Sequence, residues 1–481
     1  MKLKAIAAVV AASLLIPTLA GPAAAAPALR EVMFVGNNWE GTVDVIESTG
    51  TYQKLGRINV IPDRAQRLAE IYLNPIKLVY FLGIRNGPGE GHDQLVDDMY
   101  TTPDGSALVA SRPSFADVVS IDVNTGAIRW RFPVSGYRAD HMAVSPDGTR
   151  VAVSASTSNT VHVLNIATGQ QVGSFATGDK PHENVFSRDG RFLWNMSIGE
   201  VNTDLDDPFW DWTKGDRHIT VVDATTFQTV RTIDMRTRLN AFGRSDLSNA
   251  VRPAVFSPDE SKLYFQVSFF NGVVEYDVAG DRITRVKTLP KNPATSDDRT
   301  TYVNDSRHHG LSMSPDGSKL CVAGTMDDYV TVVNRATLQE GALVTASKPY
   351  WATVSGDGRD CVISESGADR VSAISFGTGQ RVATVAVGDH PQRVRVGHVP
   401  PGWQAPGWRS DDIRDLRAVG STSCWRSASP PRRIRSRAPS RRTGGCRRSG
   451  TRSRTRRDGP STATPATWPA TTITACPRTS R

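Results

Sequence analysis

The chain has 481 residues and a formal charge of +9, with 39% hydrophobic residues, enough to bury a large core. The charge is unevenly spread: residues 401–481 hold 18 Arg, no Lys and four acids (Asp411, Asp412, Asp415 and Asp458), a net +14 that leaves about −5 on residues 1–400. A mildly acidic body excludes the nucleic-acid or anionic-membrane surface that the overall basic balance suggests.

Residues 1–26 read as a secretory signal peptide. Lys2 and Lys4 precede an apolar run from Ala5 to about Ala20, and a small-residue stretch from Gly21 to Pro27 follows. An exported, extracytoplasmic protein is expected. No second apolar run of about 20 residues exists, so no membrane span is expected. From Glu31 to about Val60 the chain alternates with period two and reads as three strands. Residues 61–96 break that texture. Arg64-Ala-Gln-Arg-Leu-Ala-Glu-Ile-Tyr-Leu73 reads as a helix capped by Asp63 and ended by Pro75, with Leu68, Ile71 and Tyr72 on one face. The apolar stretch Ile76 to Ile84 then needs cover. Gly87-Pro-Gly-Glu-Gly91 is loop material without the strand–helix context of a phosphate-binding fingerprint.

A repeat then dominates. Thr102-Pro-Asp-Gly105, Ser145-Pro-Asp-Gly148, Ser187-Arg-Asp-Gly190, Ser257-Pro-Asp-Glu260, Ser314-Pro-Asp-Gly317 and Ser355-Gly-Asp-Gly358 recur with a base period near 42. Around each turn lie four short alternating runs, as in His141-Met-Ala-Val-Ser145, Arg150-Val-Ala-Val-Ser154, Thr160-Val-His-Val-Leu-Asn165 and Gln171-Val-Gly-Ser-Phe175. Four strands per period of about 42 describe a propeller blade. Third strands count to seven, around Val43, Val118, Val161, Ile219, Val273, Val330 and Val371. First strands also count to seven but are out of phase with the ends. The N-terminal segment lacks a first strand and the segment after Gln392 supplies one, so a seven-bladed β-propeller over residues 31–399 is predicted, all-β and closed by its C-terminal strand.

The repeats resemble the YVTN-type seven-bladed propellers. The family's Val-Thr-Val-Val phrase stands as Tyr329-Val-Thr-Val-Val333, and its Pro-His before a first strand as Pro181-His182. The resemblance runs from about Glu31 to Val399 and implies a fold rather than an activity, since such propellers include binding proteins, lyases and subunits of redox enzymes.

Chain direction within a blade puts the long insertions 61–96, 198–217, 235–251 and 289–308 on one face, with only tight turns opposite, so the insertion face is the expected binding side. There the seven first strands begin beside the central channel with Asp97, Asp140, His182, Arg252, His309, Tyr350 and Gln392. Beside them stand Asp98, His141, Glu183, His308, Trp351 and Arg393. Such a mouth suits a small anionic or sugar-like ligand, although a wet channel is polar without any ligand. A divalent metal is weakly supported, because Arg252 lies between His182 and His309 in blade order and opposes a cation; no cofactor is assigned. In the second insertion, Asp204-Leu-Asp-Asp-Pro-Phe-Trp-Asp-Trp212 offers carboxylates and aromatics for a sugar or calcium, or aromatics that pin the loop to the propeller.

The body has two cysteines, Cys321 and Cys361, on second strands of neighbouring repeats. Sheets about 10 Å apart are too distant to bridge, so two separate buried thiols are expected. Residues 401–481 sustain no apolar period and are excluded from the fold, either as a disordered arginine-rich arm or as the product of a shifted reading frame. No Gly-x-Ser-x-Gly, CxxC or haem-attachment motif occurs in the body. The expected function is that of a non-catalytic, monomeric binding or scaffold protein recognising a protein or a small ligand on the insertion face. The alternatives are a lyase- or lactonase-like enzyme using His182, Arg252 and His309 for acid–base and anion-binding work, or a redox-enzyme subunit.

Overall fold

The computed structural model describes residues 28–201, 208–302, 304 and 306–406. The signal-peptide reading, Asp204 to Asp207 and all of the arginine-rich segment after residue 406 lie outside the described residues. Seven four-stranded antiparallel sheets succeed one another along the chain, a seven-bladed β-propeller. Each predicted third strand is found, from Thr42–Glu47 through Tyr329–Asn334 to Arg370–Ser375. The first strands, Met99–Thr101, Ala139–Val144, Pro181–Phe186, Val251–Phe256, Gly310–Met313, Pro349–Val354 and Pro391–Val399, are the innermost of their blades. Pro391–Val399 pairs with Arg30–Asn37, Val394 opposite Val35 and Val396 opposite Met33, so the last strand completes the first blade. The closure removes two sheet edges that would otherwise expose unpaired backbone groups.

The alternating runs fold this way because each blade buries both faces of its two middle strands. Leu108, Val109, Ala110, Val151, Ala152 and Val153 are all fully buried, and successive residues of one strand feed the clusters on either side of it. The repeated turn is held by its own side chains. Ser145 Oγ donates to Asp147 and accepts from the Arg150 N–H, and the same pattern recurs at Ser187–Asp189, Ser257–Asp259 and Ser314–Asp316. The turn's last residue sits at φ near +70, as at Gly148 and Gly317. Glu260 takes the same conformation at φ +54, where a side chain is disfavoured.

Three expectations are corrected. Cys321 and Cys361 form a disulfide, with Cα atoms 6.3 Å apart. The blades converge toward the axis, so their second strands come closer than the spacing of flat stacked sheets, and the distance falls within disulfide range. Pro75 does not merely end a helix. Helix α1, Arg64–Tyr72, is followed at once by α2, Pro75–Asn86, with Pro75 in its first turn and Asn74 accepting from the Ile76 and Lys77 N–H groups. Asp63 makes no side-chain cap to α1; its carboxylate pairs instead with Arg112 at 2.5 Å and Arg67 at 3.0 Å. Ile71, Phe81 and Ile84 tuck under the insertion, whereas Tyr72, Ile76 and Val79 are exposed. The insertion's return is clamped by Trp39, sandwiched between the rings of His92 and His390 at 3.8 and 3.7 Å.

In the second insertion Phe209 and Trp212 are three-quarters exposed, whereas Trp210 is 38% exposed. The excluded tail also begins inside the fold. Trp403 is buried and its indole donates to the Val123 carbonyl at 2.8 Å. Among the described residues no helix is long and apolar enough to cross a membrane.

Candidate ligand-binding site at the channel mouth

The innermost strands carry a shared irregularity at their starts. In blade three, Ala139 pairs with Ala155 and Met142 with Val153, so Asp140 and His141 together oppose one residue. His182 is the extra residue of blade four, Arg252 and Pro253 oppose one residue in blade five, Tyr350 is extra in blade seven, and Gln392 with Arg393 opposes Gly36 in blade one. Five of the seven residues predicted to ring the channel therefore sit on β-bulges. A bulge breaks the alternation that would turn every second side chain away, and re-aims neighbours toward one space.

That space is a cavity of about 340 Å³. Asp97, Asp140, His182, Arg252, Tyr350 and Gln392 line it, together with His141, Arg138, Lys180 and Asn304. Helix α2 contributes an apolar wall through Val79, Tyr80, Gly83 and Ile84, and Tyr80 is fixed by stacking on Tyr137 at 4.1 Å. His309, the seventh predicted residue, does not line the cavity; it is stacked on Tyr350 at 4.4 Å with its ring 5.5 Å from that of His182. The predicted neighbours divide. His141, Glu183, Trp351 and Arg393 join the same buried cluster. Asp98 is consumed by Arg395 and by the N–H groups of Met99 and Met142. His308 points to Asp327, at 3.0 Å, beside Arg307. The residues missed in the sequence are Arg138, Lys180, Asn304 and the α2 wall, all outside the repeat register.

Hydrogen bonding orders the cluster only in part. Glu183 meets His141 Nδ1 at 2.7 Å, which leaves Nε2 facing Asp140 at 3.6 Å and Asp97 at 3.7 Å. The rings of His141 and His182 lie 3.7 Å apart. Arg138 pairs with Asp140 and donates to Gln94. Arg252 donates to Ser268 Oγ and to the Asn304 carbonyl. By contrast His182 Nδ1, His309 Nε2, Asp97 Oδ2 and all three guanidinium nitrogens of Arg393 are buried without a hydrogen-bond partner. Arg393 lies over the Trp351 ring at 4.0 Å and 3.9 Å from Asp97.

Burial sets the protonation. It pushes the carboxyl of Asp97 up to about 7, with Arg393 opposing and Asp140 and Asp98 adding to the rise. Burial likewise pushes Glu183 up to about 7 against the pull of Arg393 and Arg395. His141, His182 and His309 are held well below the usual imidazole range, by burial first and by arginine charge second, so they are neutral near pH 7. The mouth thus presents neutral imidazoles, carboxyls that can hold or release a proton near neutrality, and guanidinium groups.

The fold defines the chain as a seven-bladed β-propeller with its cavity at the insertion-bearing mouth. No protein-family model and no curated protein matches the chain. Among solved structures it is similar to Kuenenia stuttgartiensis hydrazine synthase, with a TM-score of 0.47 and 18% identity over 61% of this chain and 86% of that one. Likeness at that level carries no functional argument.

Proposed function

We propose that the chain is an exported, non-catalytic binding protein that takes a small ligand with an anionic group into the channel-mouth cavity. One observation carries the reading: buried polar groups from several blades converge on a half-open cavity walled on one side by the apolar residues of helix α2. Ligand sites are concave, largely apolar and oriented by a few placed polar groups, and about 340 Å³ is the size of a small-molecule pocket. Two of the lining charges pair locally, Arg138 with Asp140 and Lys180 with Glu200 at 3.3 Å. Arg252 also lines the cavity, and three cationic side chains there suit a ligand with an anionic group. The apolar wall of α2 takes the rest of the ligand. The Cys321–Cys361 bridge supports an oxidising compartment, and the YVTN-type resemblance supports a binding role among others.

A catalytic reading is favoured by a single feature, the Glu183–His141 pair with a carboxyl near 7 beside a neutral imidazole. Thermal-shift screening with small carboxylates, sugar acids and phosphate tests the binding reading. A ligand present at 100 times its Kd stabilises by about 2.7 kcal/mol. If no member of the panel moves the melting temperature, the small-anion reading is wrong and a protein partner replaces it.

A further inference from the structure

We propose that the buried cluster of Asp140, His141 and His182 is a binding site for a divalent first-row transition metal. This deepens the ligand-site reading, since it assigns a cation to the same mouth. The ligand-capable atoms of the three residues, all buried, lie within 4.8 Å of one another. They come from two adjacent innermost strands and are brought together by the bulges at Asp140–His141 and at His182.

The arrangement around them is that of a metal site. Metal-bound imidazoles are oriented by a carboxylate on the opposite ring nitrogen, and Glu183 holds His141 Nδ1 at 2.7 Å so that Nε2 is turned to Asp140 and Asp97. His182 is 5% exposed and its Nδ1 has no hydrogen-bond partner. Asp97 Oδ2, also unpartnered, is 3.7 Å from His141 Nε2 and supplies a further donor. Buried polar atoms are left without partners rarely, and His182, Asp97 and His309 each have an atom able to offer a lone pair in that state, which points to a shared occupant. His309 donates Nδ1–H to the Tyr350 carbonyl at 3.4 Å, which leaves its Nε2 as an unpartnered lone pair.

Two imidazoles with one or two carboxylates suit zinc, iron, cobalt or manganese and leave positions open. Ligand atoms around such an ion stand about 3 to 3.5 Å apart, so the widest pair, within 4.8 Å, needs to close by up to about 1.5 Å. The objection from the sequence, a guanidinium beside the metal, is met in part by geometry. Arg138 is engaged by Asp140 Oδ2, leaving Oδ1 toward His141, and Arg252 is engaged by Ser268 and Asn304. The arginines that remain nearby favour an anionic ligand in the open position.

The test is titration of the chelator-treated full-length chain, with free thiols alkylated, with Co²⁺ alone. We expect one equivalent to bind and to give a visible ligand-field band. His182→Gln and Asp140→Asn, checked for folding by circular dichroism, should abolish the band. Glu183→Gln should weaken binding 10- to 100-fold, while His398→Ala, at an exposed position, should leave it unchanged. Absence of stoichiometric binding, or binding that the folded His182→Gln variant retains, overturns the metal site. Anion binding in the metal-free chain is measured separately by thermal shift, so a failed titration leaves that reading standing.

Discussion

Among the described residues three arginines are fully buried, Arg112, Arg252 and Arg393, and the first and last of these are in opposite situations. Arg112 donates to Asp117 at 2.7 and 2.8 Å, to Asp63 at 2.5 and 3.2 Å and to the Val60 carbonyl at 3.1 Å, which ties α1 to blade two. Arg393 makes no hydrogen bond; the Trp351 and Tyr350 rings and Asp97 at 3.9 Å are its partners. Replacing each by Met separates structure from function. Arg112→Met removes five hydrogen bonds from two carboxylates and a carbonyl, leaving Asp63 only Arg67 and Asp117 only Arg131 as partners among the described residues, and should cost about 3–5 kcal/mol. For Arg393, each unmet donor costs about 1–3 kcal/mol. The cation–π contacts return about 2 kcal/mol, and Asp97 returns up to about 4 kcal/mol at an effective dielectric of 20. These terms nearly cancel, and Asp97 can take a proton once the cation is gone. Arg393→Met should therefore change stability by about 1 kcal/mol or less, in either direction. With about 2.1 cal/mol/K of unfolding entropy per residue, a propeller of about 370 residues shifts by about 1.3 °C per kcal/mol. The expected falls in melting temperature are about 4–6 °C for Arg112→Met and under about 1.5 °C for Arg393→Met, read by calorimetry. Equal losses would refute the reasoning, because the channel cluster would then be part of the scaffold.

The remaining predictions concern the scaffold. Asp104, Asp147, Asp189, Asp259 and Asp316 are held below the usual carboxylate range by the hydroxyl and N–H donors of their turns, Asp259 and Asp316 at about 2. A depressed folded-state value contributes stability that is present above about pH 4 and lost as pH falls toward 2, so urea midpoints should drop across that window. An Asp259→Asn, Asp316→Asn double variant should show a shallower drop; an unchanged pH profile would contradict the assignment. Reducing Cys321–Cys361, 40 residues apart, should cost about 4 kcal/mol by chain entropy, or about 5 °C on melting in dithiothreitol. No shift would mean the bridge is dispensable.

Much of this fold is legible in the sequence because it is periodic. The Ser-x-Asp-Gly turn recurs with its hydrogen bonds intact, and the β-branched third strands fall where the alternation puts them. The site was legible in part for the same reason: Asp97, Asp140, His182, Arg252, His309, Tyr350 and Gln392 share one register. Alternation alone cannot show that His141 and Arg393 join them, because a bulge adds a residue without a marker of its own. The adjacent polar or aromatic pairs Asp140-His141, His182-Glu183, Tyr350-Trp351 and Gln392-Arg393, where a polar residue should be followed by an apolar one, are the trace it leaves. Arg138, Lys180 and the α2 wall lie outside the register and meet the channel only through tertiary packing. The disulfide is not legible in the sequence because the spacing of flat sheets does not describe blades that converge.

The central claim is that the insertion-bearing mouth binds a small anion, and calorimetric titration of the best ligand from the thermal-shift panel tests it most directly. Binding should be one to one in the full-length chain and weakened at least tenfold by Arg252→Met. It should be unaffected by Asp316→Asn in a turn on the opposite face. Affinity that survives Arg252→Met, or that falls with Asp316→Asn, would place the ligand elsewhere and contradict the account.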